Sequence, residues 1–160
     1  MLFVSTKTYN QIGPVAYRQW RAESHCKHIH GYALSFYFEF EAHDLDSRNW
    51  VVDFGSLTQL KGLLEDWFDH TLLVAEDDPE FDAMMHLEEI GIAKCTVVER
   101  TGCEGIAAFL YEYINEQYLP TYGYGKRVWC SKVQVRETDA NMAMVKGHRP
   151  IETDHNGYVI

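Results

Sequence analysis

A chain of 160 residues fits one domain, and at 46% hydrophobic and 14% aromatic residues it can bury a core without disulfide staples and is not a disordered chain. A formal charge of −10 argues against nucleic acid or an anionic membrane as partner, but leaves room for a small anionic substrate in a locally basic pocket. No apolar run nears the ~20 residues of a membrane span, residues 1–10 lack a signal-peptide layout, and Cys26, Cys95, Cys103 and Cys130 form no CxxC pair, so residues 1–160 are expected to be a single cytoplasmic domain with reduced thiols.

In chain order, Met1–Tyr9 and Val15–Ala22 predict the arms of a hairpin around Gly13-Pro14. Tyr32–Ala42 alternates, with Tyr32, Leu34, Phe36, Phe38 and Phe40 on one face and Ser35, Glu39 and Glu41 on the other, the pattern of a half-buried strand. His43–Asn49 is a polar turn, and Trp50-Val51-Val52 predicts a returning strand. From Ser56 the period changes: Leu57, Leu60, Leu64 and Trp67 share a helical face up to Phe68, with Ser56 as the N-cap. A short helix is expected from Asp78 to Ile90, a strand over Ala93–Val98, a long helix over Cys103–Tyr118, a turn at Gly123 and Gly125, and a strand over Val128–Glu137 that Met142–Val145 pairs with. The last ten or so residues are polar, and a loose end is expected. Segregated strands and helices predict an α+β fold, an antiparallel four-stranded sheet with helices on one face. Its open edges favour pairing between subunits.

Four segments carry chemistry. Ser24-His25-Cys26-Lys27-His28-Ile29-His30-Gly31-Tyr32 packs three histidines and a cysteine into six residues before a strand, and reads either as a metal-binding segment or as a polar turn. Asp69-His70 follows the first long helix; a carboxylate beside an imidazole can form a proton-transfer pair or be a surface dipeptide. Glu137-Thr138 ends an apolar strand, where a carboxylate can grip a guanidine-like edge through two parallel hydrogen bonds or simply be solvated. Asp53 closes Val51-Val52-Asp53-Phe54 and caps the next helix on the simplest view.

In this order, Cys26-(x3)-His30-Gly31, Val51-Val52-Asp53-Phe54, Asp69-His70-Thr71-Leu72-Leu73 and Val133-Gln134-Val135-Arg136-Glu137-Thr138 resemble the 6-pyruvoyl- and 6-carboxytetrahydropterin synthases, over roughly residues 17–138, and Glu104-Gly105-Ile106-Ala107 looks like the start of that family's second helix. The resemblance implies the tunnelling fold, a homo-oligomeric barrel, a hexamer of two trimers, and a lyase that eliminates triphosphate from 7,8-dihydroneopterin triphosphate to give 6-carboxy- or 6-pyruvoyltetrahydropterin. It implies a zinc ion acting as Lewis acid on the substrate's side chain, Cys26 as base, Asp69 and His70 handling the second proton, and Glu137 anchoring the aminopyrimidine ring with Thr138 beside it. Two positions depart from the pattern. Tyr32 stands where the family has the second His of His-Gly-His, and aligning Trp20 with the family's Phe-x-Ala-Ala-His strand puts Ser24 at the first ligand, with His25 one residue late. The zinc ligands expected here are therefore His30 with His25 and His28. The alternative is a metal-free pterin- or purine-binding protein on the same fold, which Tyr32 and Ser24 favour. Lys27, Lys132 and Arg136 are the candidate cations for a triphosphate.

Overall fold

The computed structural model describes residues 1–150 and His155, so the expected loose end lies outside the described residues apart from His155. Strands β1 (Phe3–Tyr17), β2 (His30–Ala42), β3 (Thr71–Ala75), β4 (Cys95–Val98), β5 (Trp129–Arg136) and β6 (Met142–Lys146) form one sheet in the order β4-β3-β1-β2-β5-β6. Helices α1 (Thr58–Phe68), α2 (Phe81–Glu89) and α3 (Cys103–Tyr113) connect them. Among the described residues no helix is long and apolar enough to cross a membrane.

The expected antiparallel four are present as β1, β2, β5 and β6. The sheet is nevertheless six-stranded and mixed, because β3 and β4 add to β1 in parallel. Thr71–Ala75 hides from a search for alternation because all five of its residues are buried, as parallel strands covered on both faces are. Leu73 joins the main core, while Leu72 and Val74 pack with Met84 of α2. Helix α2 thus covers the opposite face from α1 and α3, and the helices are not confined to one side.

The predicted N-terminal hairpin is instead the single strand β1. Gln11 (φ 54°) and Gly13 (φ 128°) absorb two register shifts against β2, one between Tyr9 and Ile12 and one between Ile12 and Val15. Such bulges admit one extra residue each without ending the strand. Trp50-Val51-Val52 is not a strand either. The Asp46 carboxylate accepts from the Arg48 and Trp50 amides, and the Arg127 guanidinium takes the Trp50 and Val51 carbonyls. Side chains therefore satisfy groups that a neighbouring strand would otherwise hold. Asp53 accepts from Gly55 N–H and shapes the entry to α1, but the cap residue is Leu57, and Ser56 spends its hydroxyl on the Asp53 carbonyl and Tyr124.

The core follows the predicted faces of β2 and of Leu57, Leu60 and Leu64, which meet Ile106 and Leu110 of α3, but at the end of α1 it is Phe68 that is fully buried while the expected Trp67 is only partly so. The expected long helix continues past α3 through a π-helical turn, Ile114–Tyr118. That turn has a job. Strand β5 carries an extra residue, Ser131, against Glu39 and Phe40 of β2, and the neighbouring Cys130 loses part of its ladder. The Asn115 side chain replaces it, accepting from Cys130 N–H at 2.8 Å and donating to Cys130 C=O at 3.0 Å. Asn115→Leu leaves both buried backbone groups without partners, at about 1–3 kcal/mol each. Chemical denaturation should show a loss of at least about 2 kcal/mol with an unchanged m-value.

Candidate functional site

Strand pairing assembles the site. Tyr17, the last residue of β1, lies opposite His30, and Val15 lies opposite Tyr32. The three rings of Tyr17, His30 and Tyr32 adjoin one another, with centroids 5.5, 5.6 and 6.3 Å apart. On β5, Glu137 follows Arg136 and by alternation shares the helix-covered face with Val133 and Val135. The Tyr17 hydroxyl donates to its Oε1.

The start of α3 closes the cluster. Thr101 donates its hydroxyl to the Arg18 carbonyl at 2.7 Å. Gly102 (φ 92°) then turns the chain where a Cβ would strike the Gln19 side chain, and only a glycine makes that turn without strain. Cys103 follows, buried beside Glu137. Gln19, Cys103, Glu104, Glu137, Asn141 and Met142 border a cleft of about 200 Å3.

The Glu137 carboxylate thus touches neutral donors, with Glu104 at the border of the cleft. Burial, then Glu137, pushes the Cys103 thiol up to about 12. Burial and the hydrogen bond to Glu137 raise Tyr17 far above the usual phenol range, and burial and the Glu137 charge raise Tyr32. All three groups stay protonated at neutral pH. Such a pocket suits a planar ligand that brings its own paired N–H donors to the carboxylate.

The other sequence candidates fall as follows. Cys26 lies in a 3-10 turn, His25–Lys27, whose Ser24 cap accepts from Cys26 N–H at 3.3 Å. The Cys26 carbonyl accepts from Gln19 N–H at 2.9 Å, tying the turn to the end of β1, and a charge on Cys26 would be felt at Tyr32. His25 and His28 are exposed, and His30 engages the His28 carbonyl through Nδ1 at 2.7 Å. Thr138 is exposed, and its hydroxyl accepts from the Ala140 and Asn141 amides, closing the β5–β6 turn. Asp69 Oδ1 and His70 Nδ1 are 2.7 Å apart, with His70 in the left-handed region (φ 54°) and its N–H on the Pro14 carbonyl. His70 borders a groove with Ala16 and Gly31, one residue out of step with Tyr17 and His30, hence on the other face of the sheet. Within one chain the Asp-His pair and the Glu137 cluster do not meet. Lys132 is tied to Glu39, and Arg136 donates to the Asp139 carbonyl.

One family model and three solved structures resemble the chain. The model of the 6-pyruvoyl tetrahydropterin synthase family matches residues 14–148. The chain belongs to that family. An uncharacterized protein from Wolinella succinogenes shares its fold with a TM-score of 0.75 at 21% identity, covering 92% of this chain and 99% of that one. The 6-pyruvoyl tetrahydropterin synthase of Caenorhabditis elegans superposes with a TM-score of 0.60 at 16% identity, over 92% of this chain and 97% of that one. The Plasmodium vivax enzyme gives 0.59 at 12%, over 89% and 97%. No functionally curated protein matches the sequence.

Family membership makes zinc the group to test against this site. Here β1 ends on Tyr17, well before Ser24 or His25, so the strand-closing ring that faces His30 is a phenol, and Tyr32 supplies a second. Among the described residues no three His, Cys, Asp or Glu side chains are grouped to hold a metal ion. Two neutral phenols and one imidazole do not fit zinc's preference for imidazole, thiolate and carboxylate.

The rim of the site depends on an ion pair. Arg18, next to Tyr17, donates Nε and Nη2 to the two oxygens of Asp78 at 2.8 and 2.5 Å, and the Asp78 side chain is only 1% exposed. These bonds hold the Asp78 carboxyl below its ordinary value of 3.8. A depressed folded-state pKa contributes stability that is present above about pH 4 and lost as pH falls through the folded value. Asp78→Asn should therefore flatten the fall in stability below pH 4 and lower stability at pH 7, as read from urea midpoints across that range.

Proposed function

We propose that the protein is a lyase of the tetrahydropterin synthase type that binds a pterin by its aminopyrimidine edge on Glu137, with 7,8-dihydroneopterin triphosphate as substrate and triphosphate as leaving group. The observation that carries this is the Glu137 carboxylate, set at the ends of β1 and β5 and at the start of α3 among neutral donors. A 2-amino-4-oxo heterocycle offers two parallel N–H donors to such a carboxylate, and charged hydrogen bonds of this kind contribute about 1.5–3 kcal/mol.

Cys26 is the base in this reading, and Asp69-His70 the second proton-transfer pair. The Asp69-His70 pair and the Glu137 cluster lie on opposite faces of the sheet within one chain, and the cleft beside Glu137 is smaller than the ~300–1,000 Å3 of a complete ligand site. A second copy is the economical way to bring His70 to Cys26, and the edge strand β6, with Met142 and Met144 exposed, is open to pairing. In this reading the protein is a homo-oligomer, a hexamer of two trimers, in the cytoplasm. Light scattering at micromolar concentration should give about six times the 18.6 kDa chain mass; a monomer would remove the shared site.

The second reading, a metal-free pterin- or purine-binding protein, draws on the two phenols facing His30. A zinc ion on His25, His28 and His30 would meet His30 through Nε2, because Nδ1 is on the His28 carbonyl, and would draw its other ligands from the exposed His25 and His28. One equivalent of zinc per chain in the purified protein would favour the metal-dependent reading, and none the metal-free one.

Incubation with 7,8-dihydroneopterin triphosphate, followed for triphosphate release, tests the activity. Cys26→Ala should abolish turnover and leave pterin binding within about twofold, because a base acts in the transition state. Glu137→Gln should weaken pterin binding at least about tenfold, the equivalent of ~1.4 kcal/mol. Full turnover by Cys26→Ala would exclude the thiol, and an unchanged dissociation constant for Glu137→Gln would exclude the anchor.

A further inference from the structure

We infer that Tyr17 is the positioning residue of the pterin anchor: its hydroxyl sets the plane in which Glu137 presents both carboxylate oxygens to the cleft. The inference rests on the reading of Glu137 as anchor and deepens it.

A two-point grip on an amidine-like edge needs both oxygens of one carboxylate in the plane of the ligand ring. A glutamate at a strand end has a flexible side chain, and Glu137 is only half-buried, so nothing in its own backbone holds that plane. Tyr17 does. Its ring is fully buried, at 0% exposure, with the His30 and Tyr32 rings against it. Its hydroxyl donates to Glu137 Oε1. A carboxylate offers about four acceptor positions. Tyr17 occupies one and the Cys103 thiol bonds beside it, which leaves about two for a coplanar donor pair. The register of β1 against β2 aims the phenol, because Tyr17 lies opposite His30 after both bulges.

The consequence is selectivity. A 2-amino-4-oxo ring brings a donor pair to Glu137. A 2,4-dioxo ring such as lumazine turns a carbonyl oxygen toward the carboxylate instead. A carboxylate held in plane discriminates between them, and one free to rotate discriminates less. Tyr17→Phe removes the hydroxyl and keeps the ring.

The experiment is to measure dissociation constants of pterin and lumazine for the wild type, Tyr17→Phe, Glu137→Gln and the double variant. The preference for pterin over lumazine should fall at least about tenfold in Tyr17→Phe, with lumazine affinity changed less than about twofold. It should fall in Glu137→Gln as well, and no further in the double variant. A folded Tyr17→Phe that weakens both ligands equally, or neither, while Glu137→Gln loses the preference, overturns the role of Tyr17 and leaves the anchor standing. Retention of the preference by Glu137→Gln overturns the anchor and Tyr17 together. If Tyr17→Phe loses cooperative melting, para-aminophenylalanine at position 17 restores a donor on the same ring. A folded protein of that kind should keep the wild-type preference, and its loss there would overturn the proposal.

Discussion

Strand β2 sets the geometry on which the other elements depend. It pairs with β1 on one edge and β5 on the other, and its Leu34, Phe36, Phe38 and Phe40 are fully buried, each contributing about 1.5–3 kcal/mol. A slip of one residue would turn Ser35, Tyr37, Glu39 and Glu41 into the core. The outer face enforces the same register, since Glu39 there accepts from the Tyr37 hydroxyl and pairs with Lys132 of β5. His30 and Tyr32 continue the buried row of the same strand. The packing that locks the core therefore also aims the imidazole and phenol of the site.

Irregular strand pairing carries the rest of the placement. Tyr9 and Val15 both face the core although Ile12 between them does too, which regular alternation forbids. The two bulges of β1 shift the parity and then restore it, so Tyr17 arrives facing His30. On β5 the extra Ser131 has a comparable effect, and Asn115 from the π-helical turn makes good the lost ladder bonds. Without these adjustments Tyr17 and Glu137 would not meet.

The site that results is unusual in its charge. Its carboxylate has a phenol and a thiol for neighbours, and Arg18, next to Tyr17, is committed to Asp78. A ligand bringing donors meets little competition there. The Asp69-His70 pair is built by different means: His70 takes a left-handed conformation held by the Pro14 carbonyl, on the far face of the sheet.

Much of this was legible in the order of residues. The face of β2, the helical stripe of Leu57, Leu60 and Leu64, the pairing of Met142–Val145 with β5, and the family were all readable, because periodicity and ordered motifs are local properties of the chain. Strand β3 was not, since burial on both faces erases alternation. Nor was the end of β1: Gly13-Pro14 has the composition of a turn, and only pairing with β2 turns it into a bulge. Tyr17 escaped notice for the same reason, as one tyrosine among ten, without a motif. Cys103 was readable as a buried thiol but not as a neighbour of Glu137, 34 residues away in sequence. Residue types and their order determined the family and the candidate chemistry. Which of those side chains share one face, and which lie across the sheet, was decided by register, because contact across strands depends on pairing that no local segment encodes.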